Sequence, residues 1–501
     1  MSKDNFYKNS IILTFSNLIT GILKFMFSII LSCKLGAQGM GLYSLIMPVY
    51  DFFAVIVCGG MITAVSKECA SFYSKNDFAN LHKSIRICLI FDLVWSVLIA
   101  LVLFLFSPLI CNTVIKDNRA LYSLWLICPA IVFIALSAIL KGYFYGISKM
   151  TIPSVIDICE KGIRMTVIVS IITILNLHEI TRTVTVTYLA LSAGELVSFI
   201  LLFCFYKKNK FKYTISYSKS EKGIKLLSGI LAISLPLCIN GILTTGLSTA
   251  STLLLPQRLI AAGIPHGKAL AIIGKFSGMA MSITFFPFIA IMSISTVLIP
   301  NISENLSKGN YALLEKRFVE VIKIAFIIGL STLVICMSLP NSLGELFFKR
   351  NDLGEFIKLA ALSTPISYVS ATTFGILNGL GKQKVVLKNS VLSALIELFL
   401  IYVLCGMPSI NIYGFGISII ITSSTVLFLN MIEIKKDYSL DFSTVNLIID
   451  ILLGIFVYLI LRILNTILPN QNSVIKSLSL LIIGFATFIF ATAIFNENDN
   501  K

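Results

Sequence analysis

Residues 85–107 read IRICLIFDLVWSVLIALVLFLFS. Beyond Arg86 near one end and Asp92, nothing in this block is charged, and its 23 residues exceed the roughly 20 that a helix needs to cross about 30 Å of hydrocarbon. Similar blocks recur at 10–33, 41–66, 120–141, 151–175, 184–206, 226–252, 269–299, 317–340, 355–379, 386–409, 413–433, 445–468 and 475–495, so about fourteen membrane-spanning helices are expected. The first, Ser10 to Cys33, is longer than a signal-peptide core and carries no small-residue cleavage site, so it reads as the first span. The eighth is long enough to be tilted or broken, with Pro287 near its middle. A transmembrane β-barrel would need alternating segments of about ten residues instead. Composition agrees: of 501 residues 57% are hydrophobic and 13% charged, about half the charged share of a soluble domain. The fold class is an all-α polytopic membrane protein, which excludes a cytosolic enzyme, a disordered chain and a nucleic-acid binder.

The net charge of +16 is distributed unevenly. Connections on the side of the N-terminus hold 24 Lys and Arg, including a run from Lys207 to Lys225, whereas those on the other side hold 9. By the positive-inside rule both termini are cytoplasmic, in a multi-pass plasma-membrane protein. The polar stretch 207–225 reads as a basic cytoplasmic linker and surface orientation determinant between a lobe at 1–206 and a lobe at 226–433, with 434–501 carrying two appended helices and a tail.

A faint internal repeat supports two lobes of six helices. Ser74-Lys75-Asn76-Asp77-Phe78 with Lys83 recurs 233 residues later as Ser307-Lys308-Gly309-Asn310-Tyr311 with Lys316. Ile139-Leu140-Lys141-Gly142 recurs 237 residues later as Ile376-Leu377-Asn378-Gly379, an offset at which Glu160 meets Glu397. An even number of spans per lobe gives parallel copies, with a substrate cavity expected between them.

An ionisable residue at mid-bilayer costs roughly 2.5–3.5 kcal/mol on insertion scales, so each one is a functional candidate. Those within spans are Lys24, Asp51, Asp92, Asp157, Glu160, Lys161, Arg164, Glu195, Lys275, Glu397, Asp450 and Arg462. At 100° per residue, Asp157, Glu160, Lys161 and Arg164 fall within about a 100° arc of one helix, and Asp157–Lys161 and Glu160–Arg164 are spaced as i,i+4 pairs. They form either a self-neutralising polar stripe or a wet surface on which Arg164, about 20 Å into its span, offers a guanidinium to an anion. Lys24 has no acid within a turn of its own helix and is expected to line a cavity, while Lys275 lies nearer the outer end of its span. Asp51, Glu195 and Glu397 read as proton or sodium carriers, as partners of the basic residues or as structural acids.

Cys58, Cys88, Cys128, Cys159, Cys204, Cys238 and Cys336 lie in apolar runs without ligand spacing and read as small core residues. His82, His178 and His266 fall in separate polar connections, so no metal site or cofactor is expected. The nearest look-alike of a phosphate-binding loop, Gly375 to Lys382, has the wrong spacing, and connections of about twenty residues or fewer leave no ATPase domain.

Several segments form an ordered set: Gly59-Gly60-Met61-Ile62-Thr63-Ala64-Val65-Ser66-Lys67, Pro129 to Ala138 with Lys141-Gly142-Tyr143-Phe144-Tyr145-Gly146, and the Glu160–Arg164 stripe. The set continues through Pro256-Gln257-Arg258-Leu259 with Ala262-Gly263, Ser277-Gly278-Met279-Ala280, Leu298-Ile299-Pro300 with Ser303-Glu304, and Gly379-Leu380-Gly381-Lys382. Together these segments resemble the stage V sporulation protein B family, the polysaccharide-type flippases of the multidrug/oligosaccharidyl-lipid/polysaccharide exporter superfamily. Lys141 and Tyr145 stand where the family pattern has arginine and glutamine, and Lys161 where glutamine is common. What the resemblance implies is a non-enzymatic flippase that moves polyprenyl-diphosphate-linked saccharide by alternating access in peptidoglycan, spore-cortex or envelope polysaccharide assembly. Its partners would be the lipid-linked saccharide, membrane lipids and envelope-synthesis proteins, with no nucleic acid. Lys24, Arg164 and Lys275 would then meet the anionic headgroup, and Asp51, Asp157, Glu160, Lys161, Glu195 and Glu397 would act in coupling or as charge partners. The competing reading is a proton- or sodium-coupled multidrug antiporter of the same superfamily centred on Asp51, Glu195 and Glu397; a third is a non-transporting membrane scaffold.

Overall fold

The computed structural model describes residues 3–176, 179–210, 222–468 and 473–498. His178 and the linker residues 211–221 lie outside the described residues, as do the side chains of Pro300, Ser303 and Glu304. The described residues form helices and connections without a strand: α1 Lys3–Cys58, α2 Met61–Ser74, α3 Phe78–Leu109, α4 Leu121–Gly146, α5 Thr151–Ile174, α6 Ile180–Lys210, α7 Gly223–Ala261, α8 His266–Ile273, α9 Met281–Ser307, α10 Tyr311–Ser338, α11 Pro340–Phe348, α12 Gly354–Ala361, α13 Thr364–Gly379, α14 Gln383–Leu404, α15 Tyr413–Lys435, α16 Thr444–Ile467 and α17 Ser473–Asn498. Helices suit a bilayer because every peptide group finds its partner within the same segment.

Ten of these helical stretches are long and apolar enough to cross a membrane, and Val474–Phe488 is a shorter apolar one. Apolar length alone therefore does not reach fourteen, for local reasons. The first two expected spans are joined in α1, where the loop expected at 34–40 is replaced by a kink at Gly36 with φ of 64°. The α5 stripe makes that helix too charged. The run 355–379 breaks between α12 and α13, where Pro365 opens the second piece. The run 269–299 departs from α geometry in a π-helical turn at Gly274–Ala280, while α9 passes through Pro287 unbroken.

The chain divides into two compact units: Met1–Phe27 with Leu42–Leu253, and Ser28–Gly41 with Leu254–Lys501. The division thus falls inside α7, beyond the linker. In the first unit α4 packs against α2, α3 and α6, burying Leu140, Tyr143 and Phe144 with Val65, Cys69, Ile85 and Leu202. Small residues let these helices meet: a Cβ at Gly142 would stand 2.9 Å from Val65 Cβ, and one at Gly146 2.6 Å from Cys69 Cβ. In the second unit α13 packs on α9, α10 and α15, with Phe318, Tyr368, Ile376 and Ile434 in its core. The Tyr368 hydroxyl donates to the Thr284 carbonyl. Cys88 and Cys336 are buried as expected of small core residues, but Cys159 and Cys204 are exposed on their helices.

Within the second unit, the 28–41 segment docks on α8 and the π-helical turn. Ser28 Oγ donates to the Gly278 carbonyl at 3.0 Å. A Cβ on Gly41 would lie 2.0 Å from the Leu270 carbonyl oxygen, and one on Gly274 would lie 2.0 Å from that of Ala37, so only glycine permits either approach. The two contacts are reciprocal, because Gly41 and Gly274, like Ala37 and Leu270, are 233 residues apart.

That offset recurs in the turns of the backbone. Left-handed residues pair as Asn76 with Gly309, Lys116 with Lys349, and Ser148 with Gly381, each 233 apart. The turn bonds follow: Asp77 N–H to Phe72 O at 3.0 Å matches Asn310 to Asn305 at 3.1 Å, and Lys149 N–H to Phe144 O matches Lys382 to Leu377, both at 2.9 Å. The offset of 237 read for Ile139–Gly142 is therefore one helical turn too long; at 233, Gly142 meets Gly375 and Gly146 meets Gly379. The register also places Glu397 opposite Arg164 instead of Glu160. After each pseudo-equivalent lysine comes an ion pair of opposite sense: Arg119 Nη2 to Asp117 Oδ2 at 2.6 Å, and Arg350 Nη2 to Asp352 Oδ2 at 2.7 Å.

Two expectations follow. Gly274→Ala should lower the melting temperature and so should Gly41→Ala, with the double variant costing less than the sum because both open the same crossing; an unchanged melting temperature in both single variants would contradict the contact. Hydrogen bonds from Arg350, with Lys275 beside them, hold the Asp352 carboxyl well below its ordinary value. Its stabilising contribution is then complete above about pH 4 and is lost as the pH falls through the depressed value. The gap in melting temperature between the wild type and Asp352→Asn should accordingly be present at pH 7 and narrow on acidification below about pH 4.

Candidate functional site

α5 rises from Thr151 and brings Glu160, Lys161 and Arg164 onto a face that meets α6. The approach is close because position 194 is glycine: a Cβ there would stand 3.0 Å from Glu160 Oε1. Glu160 is 3% exposed and has two cations, Lys161 Nζ on Oε2 at 2.7 Å and Arg164 Nη2 near Oε1 at 2.6 Å. The latter is an ion contact without hydrogen-bond alignment. Arg164 Nη2 also lies 3.6 Å from Oε1 of Glu195 on α6, and the Tyr50 hydroxyl of α1 donates to that same oxygen at 3.3 Å. Tyr188 is fully buried, donates to the Tyr43 carbonyl at 2.9 Å and stacks on the Tyr43 ring at 5.5 Å.

Within this assembly Arg164 is held between two carboxylates while its Nε, buried, has no hydrogen-bond partner. Lys24 lies within electrostatic reach of Asp51, Glu160, Lys161 and Arg164. Lys24 and Asp51 are both exposed, and neither makes an ion pair or hydrogen bond with the described residues. Three cations therefore face three acids, but the acids are unequally engaged. Glu160 and Glu195 are committed to Arg164, Lys161 and Tyr50, which leaves the exposed Lys24 ammonium as an available donor and the Arg164 Nε–H as a buried donor without a partner. An ammonium within electrostatic reach of a guanidinium suits an oxyanion.

One expected pairing needs revision. Asp157 pairs with Lys141 Nζ of α4 at 2.7 Å, not with Lys161. Since α4 supplies that cation, Lys161 is freed to join Arg164 on Glu160, the better-buried acid. Lys275 lies in the second unit, paired with Asp352 Oδ2 at 2.7 Å and 5.9 Å from the Phe356 ring centre. Glu397, also in the second unit, makes no hydrogen bond or ion pair with the described residues. Asp92 is 1% exposed with an unpartnered Oδ2, and Arg462 reaches Tyr458 on its own helix at 3.1 Å. Sequence reasoning missed Tyr43 and Tyr50, whose spacing of seven puts them on one helix face, and missed Lys141 as a partner, for which sequence carries no signal across helices.

Comparison with known proteins places these observations. The chain is 26% identical over 456 residues, covering 89% of it and 88% of the relative, to stage V sporulation protein B of Bacillus subtilis (strain 168). It is 22% identical over 417 residues, 78% of it and 76% of the relative, to the lipid II flippase MurJ of the same organism. Its fold matches a structure of the lipid II flippase MurJ in an inward closed conformation with a TM-score of 0.73 at 14% identity, over 99% of this chain and 100% of that one. The MatE family matches residues 236–403. The polysaccharide biosynthesis protein family matches residues 6–306, more than half the chain, and the protein belongs to that family.

Proposed function

We propose that the chain is a flippase that translocates polyprenyl-diphosphate-linked saccharide by alternating access, in peptidoglycan, spore-cortex or envelope polysaccharide assembly. Both termini lie on the cytoplasmic side in this reading, and fourteen helices cross the membrane as two six-helix lobes with two appended. The single observation that carries it is the Lys24 ammonium, exposed and without an ion pair or hydrogen bond among the described residues, within electrostatic reach of an Arg164 whose own carboxylates, Glu160 and Glu195, are already engaged. A diphosphate carries the negative charge and acceptor oxygens that such donors need. The name of one relative, the lipid II flippase MurJ, supports the same substrate class.

A second reading, a proton- or sodium-coupled multidrug antiporter, is favoured by one observation: Asp51 in the first unit is exposed and, among the described residues, has no ion pair or hydrogen bond, leaving a carboxylate for a cation.

Reconstitution in proteoliposomes separates the two. Lys24→Gln combined with Arg164→Gln should cut translocation of a fluorescent lipid-linked saccharide at least tenfold, since each charge-assisted contact is worth about 1.5–3 kcal/mol, with expression unchanged. Retained translocation sinks the anionic-substrate reading. Lost export of a cationic drug in Asp51→Asn, with lipid flipping intact, would instead support the antiporter. Glu160→Gln should weaken flipping less than loss of Arg164, because Glu195 still holds the guanidinium; an equal or larger defect would place the substrate contact on Glu160.

A further inference from the structure

A cavity of about 360 Å³ opens in the second unit among α10, α13, α15 and α16, within the range of small-molecule sites. Phe326, Ile366 and Leu447 contribute to its apolar wall, while Lys323, Asp441 and Asp450 are its charged groups. Asp450, the seventh residue of α16, is 5% exposed and makes no hydrogen bond or ion pair with the described residues, yet it lines this space. A carboxylate so buried and unpartnered is costly unless a cation reaches it. The charge of Lys323 is felt at Asp450, but no ion pair joins them.

We propose that this cavity binds a membrane aminophospholipid, with its primary ammonium on Asp450, its phosphate toward Lys323 and acyl methylenes along Phe326, Ile366 and Leu447. The ligand class follows from what the walls can satisfy. Calcium or magnesium needs six or more oxygen ligands, zinc about four converging ones, and the two carboxylates and neighbouring polar groups here are interrupted by apolar side chains, with no cluster of three metal-ligating side chains among the described residues. An ammonium needs only a few acceptors, and one attached to an aliphatic tail also fills the apolar space. Lys323, which lines the same cavity, distinguishes the lipid from a simple amine, because a headgroup carrying both charges a few bonds apart matches an acid and a base that share one cavity. A purely anionic lipid would bring its phosphate against Asp441 and Asp450. The site shares no residue with the Arg164 cluster and does not depend on what the chain translocates.

The test uses the full chain in nanodiscs of phosphatidylcholine doped with either phosphatidylethanolamine or phosphatidylglycerol, with retained lipid read by native mass spectrometry. The wild type should retain phosphatidylethanolamine selectively. Asp450→Asn, which keeps the side-chain shape and removes a buried charge, should lower that retention about tenfold, the scale of one charge-assisted hydrogen bond. Ile366→Phe, which fills the cavity without touching a charge, should lower it too. Equal phosphatidylethanolamine retention by the wild type and both variants would overturn the proposal. So would selective retention of phosphatidylglycerol in place of phosphatidylethanolamine by the wild type, unchanged in Asp450→Asn.

Discussion

Hydrocarbon offers neither hydrogen bonds nor charge screening, and that constraint shapes the chain from backbone to site. It makes every described span a helix, since only a helix satisfies its own peptide groups. It also makes each ionisable side chain within a span find a counter-charge, a polar neighbour or water. Glu160 shows the strongest form of this rule: a single acid in the packed face between α5 and α6 draws in Lys161 and Arg164 at once. Because Glu160 and Glu195 together hold Arg164 at its Nη2 end, the guanidinium is fixed in orientation, with its Nε buried and without a partner.

The duplication underlying the fold has not duplicated this chemistry. At the offset of 233, Arg164 corresponds to Glu397, Glu160 to Ser393 and Glu195 to Phe428. The first repeat concentrates cations and acids on one helix face, whereas the second keeps a carboxylate at the position where the first has its guanidinium. The turns diverged less, because their constraint is conformational: a left-handed residue at each of three places, filled by Asn, Lys and Ser in one copy and by Gly, Lys and Gly in the other.

Much of this was legible in the sequence, for a definite reason. A run of twenty apolar residues has few other fates, so the all-α membrane class could be read directly, as could the i,i+4 pair of Glu160 and Arg164, although not where each helix begins and ends. What could not be read depends on neighbours distant in sequence. Asp157 meets Lys141 because α4 ends beside α5, and Lys275 meets Asp352 because a loop folds back to it. The repeat was detectable but slipped by four residues in its second half, since one turn of helix nearly restores an apolar pattern while shifting which residues correspond. Backbone φ signs, which no side-chain match reports, correct the register.

The reciprocal crossing of Gly41 and Gly274 has the form of an isologous interface, in which residue i meets j and j meets i. That form is the one two separate half-length chains would present at a two-fold axis. A covalent connection is not needed to create such a contact; it only guarantees that the two faces occur in equal number, so fusion would have conserved the interface while releasing each half to evolve its own electrostatics.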